Sequence, residues 1–494
     1  MSGAAVPAAQ SSAGGAPNPL MAAGAPAPLP GRVGTIAAIY AEMRIIVWGI
    51  NYTPEVTGIA PYNKALCDFI NTFRASGQEH EVEMVTSFPY YPEWKKRPED
   101  AGTLYRTDLV DGVRVHRCWH YVPSRLTALK RILHEGSFVL SSLLRICFLP
   151  RPDVFIGISP PLLLGVGAWL AGLIKRAPFV FHVQDLQPDA ALGLGMLKQG
   201  WFTRLLYRLE AFAYAKADRV SGISEGMLEM FRRKAVPASK VVHFPNGVTL
   251  PDPEQPPKKG VFRAAHGISP ETFLYVYSGN LGAKQGLETV VEAARILQAR
   301  ERPAGAGRPL KIVICGDGAR REQLDKLIRQ YALRNVLLFA LKPEASYFEM
   351  LTDMECCLLP QQAGTGSFFF PSKLLSALAM AKPVLAIADE ASALIQEAVR
   401  PGGFGVWVPP AQPEALAAIM ETLPADPARL KQMGAAGRRF VDQFEITNVL
   451  AAFAQELASF DSEVPPESPE AGSARVWKEN PGSQPDVAVV RTVA

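Results

Sequence analysis

The residues best suited to chemistry gather in one stretch, Leu358 to Val384. It holds an apolar run ending at Pro360, a loop containing Gly364, Gly366 and Ser367, the tetrapeptide Phe370-Pro371-Ser372-Lys373, and an apolar helical pattern stopping at Lys382-Pro383. A strand, a glycine-rich loop and a helix opened by Pro371 aim free backbone N–H groups at one point, where the helix dipole also favours negative charge. Ser372 adds a hydroxyl and Lys373 a full positive charge, so a diphosphate would find hydrogen bonds and charge compensation together. Two more strand-to-helix turns have the same character. In one, Gly279, Gly282 and Gly286 bracket Asn280, Lys284 and Gln285; the other is Cys315-Gly316-Asp317-Gly318. One such turn is a weak signal, but three in one domain point to a nucleotide.

An earlier part of the chain offers a second group. Phe181-His182-Val183-Gln184-Asp185 closes an apolar strand, which predicts that His182 and Asp185 lie at the mouth of a cleft, where an imidazole or carboxylate can orient a hydroxyl or take its proton. After the first strand, the loop Gly49 to Gly58 lacks the G-x-G-x-x-G of a dinucleotide site, which removes the main support for an NAD-dependent dehydrogenase. Gly58, at the start of the next helix, still permits close backbone approach to a ligand.

These loops need strands and helices to hold them. Strand-like runs occur at Arg44–Ile50, Glu81–Ser87, Val113–Cys118, Asp153–Ile158, Pro178–Val183 and Asp218–Ile223. The series restarts at Thr272–Gly279, Leu310–Gly316, Asn335–Ala340, Met354–Leu359, Pro383–Ala388 and Phe404–Val408. Apolar strands alternating with amphipathic helices predict an α/β protein with parallel sheets covered on both faces, and two series predict two Rossmann-like domains. The expected division is 43–245 for the first domain, 246–259 for a linker, 260–440 for the second domain and 441–460 for a helix crossing back onto the first.

With 494 residues, 48% of them hydrophobic and 20% charged, the chain has the length of two domains and the composition of a soluble globular protein. A net charge of +4 is too mild to imply nucleic acid. Cys67, Cys118, Cys147, Cys315, Cys356 and Cys357 show no C-x-x-C spacing and read as buried, reduced thiols of a cytoplasmic protein. Residues 1–42, rich in Ala, Pro, Gly and Ser, and the Pro/Ser/Glu/Gly-rich 461–494 are expected to be disordered arms. The apolar run Val154 to Ile174 is long enough to span a bilayer, but Pro160-Pro161 divide it into a buried strand and a helix.

Six motifs, in order, then carry a resemblance. They are G-I-N-Y-T-P-E from Gly49, H-V-Q-D-L from His182, F-P-N-G-V from Phe244, Y-S-G-N-L-G-x-K-Q-G-L-E from Tyr277, C-G-D-G-x-x-x-E-x-L from Cys315 and F-P-S-K-L from Phe370. Over about Met43 to Ser459 the chain resembles family 4 glycosyltransferases, and among these the bacterial enzymes of colanic acid and O-antigen assembly that transfer fucose or N-acetylfucosamine. The resemblance implies a GT-B architecture, a UDP- or GDP-sugar held mainly by the C-terminal domain, an acceptor held mainly by the N-terminal one, retention at the anomeric carbon and no bound metal. It makes Gly58, Gly279, Asn280, Lys284, Gln285, Gly316, Gly318, Gly366, Ser367, Ser372 and Lys373 the expected donor site, and His182, Asp185 and Lys373 the expected catalytic group. The sequence also departs from the family. Phe368 and Ser376 stand where most members carry a pair of glutamates, and Asn280 and Gln285 where the phosphate loop usually has Arg and Lys.

The acceptor is approached through the run after Tyr121, where Leu126, Leu129, Ile132 and Leu133 lie beside Arg125, Lys130 and Arg131. A basic amphipathic helix of this kind can rest on the anionic inner leaflet and bring the cleft to a polyprenyl-diphosphate-linked oligosaccharide. The expected location is therefore peripheral, on the cytoplasmic face of the inner membrane. Two other readings stay open at this point: a sugar-nucleotide 2-epimerase of the same architecture, and a non-catalytic nucleotide-binding partner.

Overall fold

Ile45–Gly49 is buried at every position, which requires cover on both faces of its sheet. Alternation along the strand divides its side chains: Ile46 and Trp48 enter one apolar cluster, Ile45 and Val47 another. The computed structural model describes residues 43–458 apart from 56–57, 73–81, 92, 125–126, 194–196, 198, 253, 255, 301–307 and 365–372. The two expected arms, together with Arg125, Gly366, Ser367 and Ser372, lie outside the described residues.

The first sheet holds β1 (Ile45–Gly49), β2 (Val82–Ser87), β3 (Tyr105–Val110), β4 (Val113–Cys118), β5 (Val154–Ser159), β6 (Phe179–Val183), β7 (Arg219–Gly222) and β8 (Val241–His243), in the order β3-β4-β2-β1-β5-β6-β7-β8. The second holds β9 (Phe273–Ser278), β10 (Leu310–Cys315), β11 (Val336–Phe339), β12 (Cys356–Pro360), β13 (Val384–Ile387) and β14 (Gly405–Val408), ordered β11-β10-β9-β12-β13-β14. The second sheet is parallel throughout. The first is mixed, because β3 runs antiparallel to β4. Asp111 and Gly112, at φ 50° and 84°, make the tight turn between them. Both sheets reverse strand order beside a central strand, β1 in the first and β9 in the second. The loops leaving these strands therefore open into the crevices where α/β folds bind ligands.

One face of the first sheet is covered by α1 (Ala60–Thr72), the other by α2 (Ala128–Cys147), α3 (Leu163–Lys175), α4 (Trp201–Lys216) and α5 (Glu225–Arg233). The Trp48 indole N–H, buried under α2, donates to Ser142 Oγ at 2.9 Å, which removes the cost of hiding it. In the second domain, α6 (Glu288–Ala299) and α7 (Arg321–Gln330) follow β9 and β10, α8 (Lys373–Ala379) follows β12, and α9 (Pro413–Thr422) and α10 (Pro427–Val441) follow β14. After a break at Asp442–Phe444, α11 (Ile446–Ala458) returns to the first domain. There Val449, Leu450, Phe453, Ala454 and Leu457 join the core beneath β1, and the Phe453 ring stacks on Phe244 at 3.9 Å.

The domains also touch through Glu397. Its carboxylate faces the backbone N–H groups of Glu225 and Gly226 in the first turn of α5, and burial nevertheless pushes its pKa up to about 7. A raised carboxyl pKa contributes stability that is present below the unfolded value and lost as pH rises through about 7. Thermal unfolding at pH 5 and pH 8 should thus show a pH-dependent loss in the wild type that Glu397→Gln reduces. With solvent screening at this half-buried site, the difference is on the order of 1 kcal/mol.

Candidate active site

The second domain builds a cradle from the loops after β9, β10 and β12. Gly279 sits at φ 143° and Gly318 at φ 150°, conformations that disfavour any side chain. The two loops are laced together: the Gly279 N–H donates to the Cys315 carbonyl at 2.9 Å and the Leu281 N–H to the Asp317 carbonyl at 2.8 Å. A Cβ on Gly316 would lie 1.9 Å from the Gly279 carbonyl oxygen, and one on Gly318 would lie 2.4 Å from Asn280 Oδ1. Absent side chains are what let the loops cross.

Lys373, in the first described turn of α8, reaches this crossing. Its Nζ donates to the Tyr277 hydroxyl at 2.8 Å and lies 4.2 Å from the Tyr277 ring centroid. A Cβ on Gly279 would come within 2.7 Å of it. The Tyr277 hydroxyl in turn donates to the Asn280 carbonyl at 2.6 Å. Among the described residues no carboxylate forms an ion pair with Lys373, and burial lowers its pKa to about 8. A partly buried ammonium held by a phenol and a ring face, with no counter-ion among the described residues, is primed for an anionic ligand.

Across the cleft stands Asp185, just beyond β6, with its Oδ1 3.8 Å from Lys284 Nζ. This ion pair joins the two domains at the site. Arg131 belongs to the same group. Its Nε donates to Glu135 Oε1 at 2.9 Å, and the charge of Asp185 adds to that of Glu135 in raising its pKa. The Arg131 side chain is half exposed at the start of α2, paired with Glu135. Lys130 remains in the first turn of α2, half-buried, with its N–H on the Thr127 hydroxyl oxygen.

His182 also needs correction. It lies inside the sheet, paired in register with Ser221, and is 2% exposed. Gln184 Nε2 lies 2.8 Å from His182 Nε2, and Ser221 Oγ 2.9 Å from Nδ1. With the amide donating to Nε2, the imidazole donates to the serine from Nδ1. Burial drives the His182 pKa down to about 3. A neutral ring with both nitrogens engaged is unsuited to general base catalysis near pH 7. It supports Gln184, whose Nε2 also donates to Asn246 Oδ1 at 3.0 Å. Gln285 is likewise turned inward: its Oε1 accepts the Gly282 N–H at 3.1 Å, bracing the loop.

The loops after β1 and β2 contain residues that the sequence reading passed over. Glu55 Oε1 accepts the N–H groups of Tyr90 and Tyr91 at 2.9 and 2.8 Å, and Oε2 accepts from Asn51 Nδ2 at 2.8 Å. Burial still raises its pKa. Gly58, at φ 67°, lies beneath Tyr91, with room for a Cβ 3.7 Å from the ring. Tyr90 meets Trp94, His120 and His134 edge-on, with centroids 5.3, 4.9 and 4.7 Å away. Glu55 stood within the first quoted motif, but nothing in one dimension shows that its carboxylate ties the loop to Tyr90. Tyr277, in the fourth motif, read simply as a strand residue.

Two α/β domains facing each other across a cleft, with a cation cradled in glycine-rich loops of the second, define the GT-B class of glycosyltransferases. Solved structures share this fold. Sucrose-phosphate synthase from Thermosynechococcus elongatus superposes with TM-score 0.65 at 18% identity, over 85% of this chain and 99% of that one. Anabaena HepE in complex with UDP-glucose does so with TM-score 0.60 at 15% identity, over 85% and 100%. The Glycosyl transferase 4-like domain model matches residues 62–247 and the Glycosyl transferases group 1 model residues 258–440. The chain is 34% identical over 383 residues to the putative colanic acid biosynthesis glycosyl transferase WcaI of Escherichia coli (strain K12), spanning 76% of this chain and 91% of that one. The chain belongs to the family 4 glycosyltransferases of GT-B fold.

Proposed function

We propose that this glycosyltransferase moves a fucose-type or N-acetylated 6-deoxyhexose sugar, with retention, from a UDP- or GDP-sugar to a polyprenyl-diphosphate-linked oligosaccharide during assembly of a bacterial surface polysaccharide. The observation carrying this reading is the Lys373 ammonium, pressed against Gly279 and paired with no carboxylate among the described residues. Support for the donor class comes from HepE with its UDP-glucose, and for the pathway class from the colanic acid assignment of WcaI.

In this mechanism the donor diphosphate lies between Lys373 and Lys284, and those two ammonium groups with loop N–H groups take up the charge that develops as the anomeric bond breaks. No divalent ion enters the scheme. Lys284, drawn to phosphate, releases Asp185 to orient the acceptor hydroxyl. The hydroxyl oxygen bonds to the anomeric carbon on the face the diphosphate leaves, and its proton passes to a departing phosphate oxygen. Asp185→Asn is expected to lower kcat by about 10–100-fold while leaving the donor KM within about threefold, in initial-rate kinetics.

Screening UDP- and GDP-sugars for thermal stabilisation, then assaying the best one with a short-chain polyprenyl-diphosphate oligosaccharide, tests the reading. Transfer to the acceptor supports it. Interconversion of the free sugar nucleotide without an acceptor, or binding with no turnover, defeats it.

A further inference from the structure

The first sheet ends on an open edge. β3 is its outermost strand and has six residues, where the other edge strands, β8, β11 and β14, have three or four. Short strands, prolines, lysines and bulges are the usual protection of an edge against a second chain. β3 has none of these, and it pairs with β4 without interruption from Tyr105–Cys118 to Val110–Val113. The two-residue turn at Asp111-Gly112 makes Val110 and Val113 a hydrogen-bonded pair, and alternation gives the same role to Asp108 and Arg106. The Trp119 N–H, on the Leu104 carbonyl at 2.8 Å, continues the alternation. The backbone N–H and C=O groups of Tyr105, Thr107 and Leu109 therefore point away from β4, and among the described residues no backbone group takes them up.

The side chains along this edge are ordered so as to meet their own copy. From Leu104 to Val110 they read Leu-Tyr-Arg-Thr-Asp-Leu-Val: Thr107 at the centre, a cation before it, an anion after it and two apolar residues outside each. A second β3 laid antiparallel, Thr107 against Thr107, sets Arg106 opposite Asp108, Tyr105 opposite Leu109 and Leu104 opposite Val110. The nearest registers that still pair the outward groups put Arg106 opposite Arg106 or Asp108 opposite Asp108, which like charge disfavours. Within one chain Arg106 Nε already donates to Asp108 Oδ1 at 2.9 Å, so the pair arranges four charges of alternating sign around the axis. The apolar members are available, with Leu104 62% and Leu109 75% exposed. On the other face Arg145 donates to Thr107 Oγ1 at 3.1 Å, and the two guanidinium groups brought near the axis there oppose pairing by an amount that salt screens.

We infer that β3 is a self-pairing edge through which two copies of this chain join, with Thr107 on the two-fold axis and the two first sheets fused into one. The contact is isologous, each copy offering the same residues. Its axis stands perpendicular to the sheet, so β1 runs in opposite directions in the two copies and the clefts at the carboxyl ends of the strands open away from each other. Each site keeps its own residues, and the pairing depends on neither the donor nor the acceptor proposed above. One strand pair covers less than the roughly 1,600 Å² of a standard stable interface, so the dimer exchanges, with a Kd on the order of 10 μM.

Sedimentation velocity on the full chain from about 1 to 100 μM should show monomer giving way to dimer. Leu109→Lys places a charge on the exposed edge and should weaken the dimer at least about tenfold, while its melting temperature and its thermal stabilisation by donor stay those of the wild type. Cysteine cross-linking reads the register. Across a hydrogen-bonded antiparallel pair the Cα atoms lie about 5.5 Å apart, within reach of a disulfide, so Thr107→Cys should give a covalent dimer under a mild oxidant such as oxidised glutathione. Leu109→Cys should stay at the wild-type background, because position 109 in the two copies is about 14 Å apart. A wild type that remains monomeric at about 100 μM overturns the inference, as does a dimer that Leu109→Lys leaves intact or cross-linking that is equal at positions 107 and 109.

Discussion

Lys373→Ala is expected to lower kcat/KM by about 100–1,000-fold, the loss typical when one preorganised donor to a developing negative charge is removed. The full effect requires that nothing nearby replaces the ammonium, and Lys284 is already drawn toward Asp185 at 3.8 Å. The same residue sets a pH dependence. In the free protein, burial holds the Lys373 pKa at about 8, so the ammonium is charged below that value and neutral above it. Bound diphosphate favours the charged form and raises the pKa. Donor affinity is therefore highest below pH 8 and declines as pH rises through it, to about tenfold weaker at pH 9. Isothermal titration with UDP at pH 7 and pH 9 measures this, and the Ala variant should bind weakly at both. A wild-type affinity that does not change across this range would show that the diphosphate is not held by Lys373.

Gly316→Ala should be the most damaging single-atom addition to the cradle. Its Cβ would lie 1.9 Å from the Gly279 carbonyl oxygen and 3.2 Å from Leu281 Cδ2. The first obstacle is backbone, which cannot rotate away as a side-chain tip can. The loops after β9 and β10 would have to separate, breaking the hydrogen bonds that Gly279 and Leu281 donate between them. The expected cost is about 2–4 kcal/mol in unfolding free energy, together with loss of thermal stabilisation by any nucleotide sugar. Urea denaturation and a donor titration read the two effects separately. Unchanged donor binding would place the diphosphate away from this crossing.

The sequence made much of this architecture legible, because strands buried on both faces are written as apolar runs. Every strand-like run in the sequence corresponds to an observed strand, with ends shifted by up to two residues. What escaped were the three-residue β8, too short to stand out, and β3, whose residues alternate between exposed and half-buried and present no apolar run. The signal for β3 was the Asp111-Gly112 turn that pairs it with β4. Glycine spacing located the cradle, since only glycine permits the crossing at Gly316 and Gly318. Side-chain direction was harder to read. His182 and Asp185 are three residues apart at one strand end, yet one is locked within the sheet and the other faces Lys284. Phe138 and Leu140 likewise share one helix, yet one is buried against the sheet and the other is 63% exposed. Sequence spacing gives a helical face, and only packing decides what that face meets.

The return of α11 also governs how the molecule can be made. Phe453 and Leu457 complete an apolar layer whose other members, such as Ile45 and Ile70, emerge from the ribosome several hundred residues earlier. The first domain's hydrophobic layer therefore stays uncovered until translation has passed the whole of the second. A fragment stopped at the interdomain segment would leave that layer open to water, so the first lobe alone would not behave as a self-sufficient recombinant module.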